Sequence, residues 1–240
     1  MVKMNKEQFN AELKKIGIEL TLEQISKLDT YAQEIVVKNQ EFNLTGITNY
    51  EQMLLKHFYD SLCIAKIIDL NGPLSILDIG SGAGFPGIVL NIVFPKINLT
   101  LLEANSKKAR FLQDIINILK LTAVNVINNR AEEYFNQQAT LYDIVTARAV
   151  APLNILTELA MPFVKVDGYF IAMKGKIDPE IVDGQAAINI LGGEIEEIQK
   201  YVLPFEESQR CLVKVKKIDS TNKMYPRRYD KIIKYPLKKE

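Results

Sequence analysis

At 240 residues, with 48% apolar and 25% charged side chains, the chain has the composition of a soluble globular protein, either one large domain or a domain with an appendage. One histidine, His57, and two scattered cysteines, Cys63 and Cys211, argue against a zinc site or a disulfide framework, so a reducing cytoplasm is the expected setting. The net charge of +1 hides an asymmetry: from Lys214 onward ten basic residues face three acidic ones, giving that end +7 and the 213 residues before it −6.

The opening MVKMNKEQF has no apolar signal region, and the longest mostly apolar run, Phe85 to Phe94, is too short to span a bilayer, so no membrane association is expected. Residues 1–72 read as a helical extension. Phe9, Leu13 and Ile16 share a helical face that Gly17 ends. Thr21 with Gln24 has the form of a capping box, and Leu22, Ile25, Leu28, Ala32, Ile35 and Val36 continue at helical spacing. Turn formers from Asn39 to Asn49 interrupt the pattern before a further helix over 50–68. Asn71-Gly72-Pro73 marks the boundary to a second unit, residues 73–218.

From Leu74 onward strand-like and helix-like segments alternate, which predicts a mostly parallel sheet with helices on both faces. Strands are expected over 74–79, 97–103, 123–128, 141–147, 169–174, 196–203 and 211–218. Helices are expected over 106–120, 131–135, 152–165 and, more weakly, 178–191. The last segment, 219–240, reads as a basic tail that points to a polyanionic partner; a solvated terminus is the plainer reading.

The stretch LSILDIGSGAGFPGIVLNIV, from Leu74 to Val93, is an apolar strand, a glycine-rich turn and an apolar helix with Pro86 near its start. Glycine permits positive φ and close approach of backbone to ligand, so the stretch predicts a nucleotide-type pocket at Gly80, Gly82 and Gly84. Gly82 to Gly87 also matches G-x-G-x-x-G, which keeps an NAD(P)-dependent oxidoreductase in view. Asp78 weighs against it, because a carboxylate beside the turn would meet a pyrophosphate at the helix N-terminus. S-adenosylmethionine, with a sulfonium, an ammonium and no phosphate, suits that carboxylate. Glu103, closing the second strand, is placed to accept both ribose hydroxyls of an adenosine, which serves either cofactor; a surface glutamate at a strand end is the alternative. Ala131-Glu132, after the third strand, can read an adenine edge, or can simply start a helix.

Asn43-Leu44-Thr45, His57 to Leu62, the block Asp78 to Ile88, Arg130-Ala131-Glu132, Arg148-Ala149, Met173-Lys174-Gly175 and Tyr225-Pro226-Arg227 together resemble the RsmG/GidB family of bacterial methyltransferases. The resemblance covers nearly the whole chain. It implies a class I S-adenosylmethionine-dependent methyltransferase fold, Rossmann-like, and methylation of N7 of a guanosine in 16S ribosomal RNA. It also implies cofactor contacts at Gly80, Phe85, Ala131-Glu132 and Arg148. The chain departs from the family pattern at Val89, where a proline is usual, and at Asp230 and Ile232 near the end.

The residues constrain the methyl acceptor independently. After the fourth strand stands Thr146-Ala-Arg-Ala-Val150, without the Pro-Pro element that exocyclic-amine chemistry uses. Cys63 and Cys211 follow Leu and Arg, not the Pro or Thr of a pyrimidine-C5 nucleophile. Guanine N7 needs neither, since its lone pair is free at neutral pH and positioning alone can supply about 7–11 kcal/mol in well-oriented cases. Arg148 and Lys174 are the candidate catalytic residues; Arg148 is expected to grip an anion, either RNA phosphate or a carboxylate of the cofactor site, with a structural ion pair as the alternative. Lys174, at a strand tip, and Arg227, Arg228, Lys231 and Lys234, interleaved with Tyr225, Tyr229 and Tyr235, are candidates for RNA contact, with a solvated strand-end lysine as the alternative for Lys174. His57 is expected to be a packed residue. The expected partner is 16S rRNA or the small ribosomal subunit, met by a monomer; an RNA-binding protein that holds the cofactor without turnover is the rival reading.

Overall fold

A computed structural model of the chain describes residues 4–138, 140–148, 150–177 and 180–238. It opens with α1, Lys6–Lys15, and α2, Leu22–Asn39, each started by a capping box: Asn5 with Gln8, and Thr21 with Gln24. α3, Tyr50–Met53, runs into a π-helical turn over Leu54–Tyr59, then α4, Asp60–Leu62, and a 3-10 turn over Cys63–Lys66. The helix expected over 50–68 therefore contains one wide turn, of a kind enriched at functional sites, and it carries His57.

Seven strands follow: β1 Ser75–Ile79, β2 Asn98–Leu102, β3 Val124–Ile127, β4 Tyr142–Arg148, β5 Val164–Lys174, β6 Gly193–Val202 and β7 Gln209–Lys217. They form one sheet in the order β3-β2-β1-β4-β5-β7-β6. β1 to β5 pair in parallel, and β7 runs antiparallel to both β5 and β6. This is the Rossmann-like arrangement expected, a mostly parallel sheet with helices on both faces. The strand order reverses between β1 and β4, where open α/β sheets offer a crevice at their carboxyl ends. Because β7 is reversed, its first residues lie at that same edge: Lys174 pairs with Cys211, and Gln209 pairs with Val202 at the end of β6.

Helices α5 Gly87–Val93, α6 Ser106–Ile118, α7 Ala131–Gln137, α8 Leu153–Ala160 and α9 Ile181–Ile190 complete the layers. One buried cluster joins the N-terminal helices to α5, α6 and a face of the sheet through Leu13, Tyr31, Phe58, Ile88 and Leu112. A second, under α7 and α8, includes Leu77, Val145, Leu156, Phe163 and Phe170. Burying each such large apolar side chain stabilises the fold by about 1.5–3 kcal/mol. The N-terminal helices thus share a core with the sheet that carries the site.

Three expectations are corrected. The helix over 152–165 is shorter: α8 stops at Ala160, a 3-10 turn spans Met161–Phe163, and β5 begins at Val164. Pro162 has no N–H to give a helical ladder. Asp167-Gly168, expected as a turn ahead of a strand at Tyr169, is a bulge-like irregularity inside β5: Tyr142 pairs with Val164 while Ile144 pairs with Tyr169, and Asp167 has φ 68°. Glycine is needed there because a Cβ on Gly168 would lie 2.8 Å from the Asp143 carbonyl oxygen. Third, part of the expected tail folds back as α10, Tyr229–Lys234, with Ile232 buried. Residues 178–179 of the weaker helix and Lys239 of the tail lie outside the described residues. Among those described, no helix is long and apolar enough to cross a membrane.

Candidate active site at the carboxyl edge of the sheet

The glycine turn after β1 is held from three directions. From below, the carboxylate of fully buried Asp78 accepts the Gly87 N–H through Oδ2 at 3.1 Å, and Ser81 Oγ donates to the Asp78 carbonyl at 2.9 Å. From the β2 side, Glu103 accepts the Gly82 N–H at 2.8 Å and the Asn105 N–H at 2.7 Å, one on each oxygen. From the N-terminal helices, buried Tyr31 donates its hydroxyl to the Ala83 carbonyl. Gly80, Gly82 and Gly84 adopt φ of 67°, 60° and 101°, in the left-handed region that disfavours other residues.

Asp78 Oδ1 is buried and has no hydrogen-bond partner among the described residues. Burial pushes this carboxyl up to about 7, against the pull of the Gly87 amide and the Arg148 guanidinium. A half-satisfied buried carboxylate is costly unless something cationic or hydrogen-bonding comes to it. A Cβ on Gly80 would lie 2.8 Å from Val150 Cγ2, so the segment after β4 lies directly over the turn.

Phe85 links the two sides of the crevice. His57 stacks on its ring at 4.3 Å between centroids, and the Arg148 guanidinium carbon lies 4.9 Å from the ring centre. Arg148, at the tip of β4, donates to the Lys56 carbonyl at 3.1 Å, to Asp60 Oδ2 at 3.5 Å and into His57 Nδ1 at 3.3 Å. Nδ1 also lies 3.2 Å from the Lys56 carbonyl, and Nε2 faces Thr45 Oγ1 at 2.9 Å. Burial and the Arg148 charge push His57 down to about 3, so the ring is neutral at physiological pH. Asp60 also receives the Tyr201 hydroxyl at 2.8 Å and lies 3.6 Å from Arg210 Nε. The anion gripped by Arg148 is thus Asp60, a carboxylate of the N-terminal helices.

Next to Arg148 opens a cavity of about 410 Å³, whose wall includes His57, Asp60, Arg148, Lys174, Glu180 and Arg210. Lys174 Nζ donates to Glu180 Oε2 at 2.8 Å and to the Ala151 carbonyl at 2.8 Å, and Glu180 Oε2 also accepts the Leu153 N–H at 2.7 Å. Among the described residues, no group of three His, Cys, Asp or Glu side chains gathers as a metal site would.

This arrangement sets the frame for comparison with known proteins. The family model described as GidB, rRNA small subunit methyltransferase G, matches residues 24–211. Similar proteins include the ribosomal RNA small subunit methyltransferase G of Bacillus cytotoxicus, 43% identical over 98% of this chain and 100% of that protein. That of Bacillus thuringiensis is 42% identical over the same shares. The chain belongs to this family.

Solved structures show the fold alone at lower identity. A precorrin-6y C5,15-methyltransferase from Geobacter metallireducens superposes with a TM-score of 0.55 at 15% identity, over 75% of this chain and 95% of that one. TrmN from Thermus thermophilus gives 0.51 at 12%, over 66% and 48%.

The remaining residues singled out in the sequence fall in different places. Ala131 and Glu132 begin α7 and are buried, with Glu132 held by Arg130 Nε at 2.7 Å. Arg227 is committed to the fold: its Nε and Nη2 donate to the fully buried Glu158 at 2.8 and 2.6 Å. Arg228, at the N-cap of α10, and Lys231 and Lys234 within it are exposed, and beyond α10 Leu237 accepts a hydrogen bond from Asn154 at 2.9 Å. Ala149 lies outside the described residues. Sequence reasoning did not single out Tyr31, Glu180, Tyr201 or Arg210; apart from Glu180, which follows the Lys174-Gly175 motif closely, none carries a local signal.

Proposed function

We propose that this protein transfers the methyl group of S-adenosylmethionine to N7 of a guanosine in 16S rRNA, in the cytoplasm and as a monomer. Membership of the rRNA small subunit methyltransferase G family supports the small-subunit RNA as substrate. The observation that carries the cofactor is the crevice itself: left-handed glycines that leave backbone exposed, and the orphaned buried Asp78 Oδ1 awaiting a positive or donor group.

When bound there, S-adenosylmethionine supplies an electrophilic methyl on a sulfonium. Asp78, the glycine turn, Glu103 and the start of α7 at Ala131-Glu132 are the residues that would hold it. Glu103 already spends one lone pair on each amide and keeps others for ribose hydroxyls. Phe85 and the loop at Val150 wall the crevice. Attack of the N7 lone pair on that methyl would leave the S–C electron pair on sulfur and place the positive charge on the purine. No side chain has to accept a proton. Neutral His57, fixed between Thr45 and Arg148, accordingly serves as packing and as a hydrogen-bond acceptor.

The test is tritium transfer from labelled cofactor into small-subunit rRNA, followed by mapping of the modified base and atom. Label at N7 of one guanosine is the expected result; cofactor binding without transfer would leave only an RNA-binding protein. Calorimetry with S-adenosylmethionine and with NAD should show binding of the first alone.

A further inference from the structure

We propose that the Lys174–Glu180 pair reads the guanine base in the cavity beside Arg148, and that Glu180 stabilises the charge the ring acquires. The inference rests on the guanosine-N7 reading above.

Two carboxylates line this cavity, and they differ in what remains available. Asp60 is 4% exposed and has both oxygens engaged, by Arg148 on one side and Tyr201 and Arg210 on the other. Glu180 concentrates its contacts on Oε2, which takes the Leu153 N–H and the Lys174 ammonium. Its Oε1 carries no hydrogen bond among the described residues, and the side chain is 29% exposed. Lys174 spends two of its three hydrogens, on Glu180 and on Ala151.

An ammonium hydrogen beside a free carboxylate oxygen presents a donor next to an acceptor. Guanine offers the complement, the O6 acceptor beside the N1–H and N2–H donors. Adenine offers the reverse, an amine donor beside a bare N1, and would set like against like on both atoms. The pair therefore selects guanine by attraction and rejects adenine by repulsion. The cavity, at about 410 Å³, suits one nucleotide, so the base enters extruded from its stack. Exposed Lys176 at its wall offers charge for the attached phosphate.

The electrostatics of the reaction agree with this pose. Arg148 on the purine would oppose the arrival of positive charge, but Arg148 is tied to Asp60, His57 and Phe85. Glu180 against N1–H and N2–H favours that arrival, and its hold strengthens as the ring becomes cationic, which is stabilisation specific to the transition state.

The test compares rRNA carrying the mapped guanosine with rRNA in which inosine, lacking the N2 amine, replaces it. The wild-type protein should lose about 10–100-fold in kcat/KM on inosine, the range for one hydrogen bond to a charged acceptor. Glu180→Gln, which keeps an acceptor for the Leu153 N–H, should lose rate on guanosine and narrow the guanosine-to-inosine ratio to a few-fold. Unchanged cofactor affinity in that variant shows that the fold is intact; if it fails to fold, the wild-type comparison on inosine decides alone. Methylation at guanosine N7 with the wild-type ratio retained in Glu180→Gln, or with no loss on inosine, overturns this assignment and leaves the proposed function standing. Methyl found on another base or atom overturns both.

Discussion

The two sides of the crevice are built in different ways. On the β1–β2 side the surface is mostly backbone: three glycines at positive φ, with amides held by Asp78 and Glu103. On the β4–β5 side it is side chains brought from distant segments, Lys56 and His57 from the π-helical turn, Asp60 from α4, Arg148 and Lys174 from strand tips, Tyr201 and Arg210 from the last hairpin. A backbone surface can take one cofactor with little dependence on any single side chain. A side-chain surface can be tuned to one base in one RNA. The two meet at Phe85, whose ring contacts both His57 and Arg148.

That division can be tested by breaking each side separately. The largest effect is expected for Arg148→Ala, which frees the buried Asp60 and the Phe85 face together: transfer to RNA should fall about 100-fold, the cost of misplacing the reactants by about 1 Å. Cofactor affinity, measured by calorimetry, should change far less, and near-normal turnover would show that the two sides are not divided as described.

Asp78→Asn acts on the other side. The Asp78 carboxyl lies near 7 when folded, above its unfolded value, so the folded state binds more protons across that interval. Its contribution to stability is fully present below the unfolded value and is lost as pH rises through about 7. Affinity for a cationic cofactor should move oppositely, rising as Asp78 ionises. Thermal melts and calorimetry across that interval should show both trends in the wild type and neither in Asp78→Asn.

A smaller change is expected for Tyr31→Phe, which removes only the bond to the Ala83 carbonyl: about 1 kcal/mol in stability and a few-fold rise in KM for the cofactor, with kcat unchanged. The smallest is Lys231→Ala with Lys234→Ala. These cations are exposed on α10, so RNA binding should weaken a few-fold with a salt slope shallower by about 2, while cofactor binding stays constant. Deleting the whole segment 219–240 is a poorer probe, because it would strip Arg227 from Glu158 and uncover the core around Ile232.

The same division explains what could be read from the sequence. The β1–β2 side lies in one stretch plus one strand end, so Asp78, the glycines and Glu103 stand out by local chemistry. Asp60 and Tyr201, by contrast, are 141 positions apart and meet only because β6 ends at the edge where the π-helical rod docks. Nothing local marks that meeting. The bulge at Asp167-Gly168 reads as an ordinary turn, because one residue at positive φ inside a strand leaves the same trace as a tight turn. α10 is hidden by its length: one buried isoleucine in six residues gives no periodicity.

The reversed β7 has a consequence for how such a protein can diversify. A sheet of parallel strands alone delivers strand ends to its carboxyl edge, each tied to a helix that must also pack. A hairpin delivers a loop instead. The segment 203–208 between β6 and β7 stands at that edge, and its Glu206 lies 3.1 Å from Lys56. Hairpin loops accept insertions with little penalty to the fold. Lengthening this one would reshape the entrance proposed for the RNA while leaving the glycine turn untouched, so the acceptor could drift without re-inventing the donor.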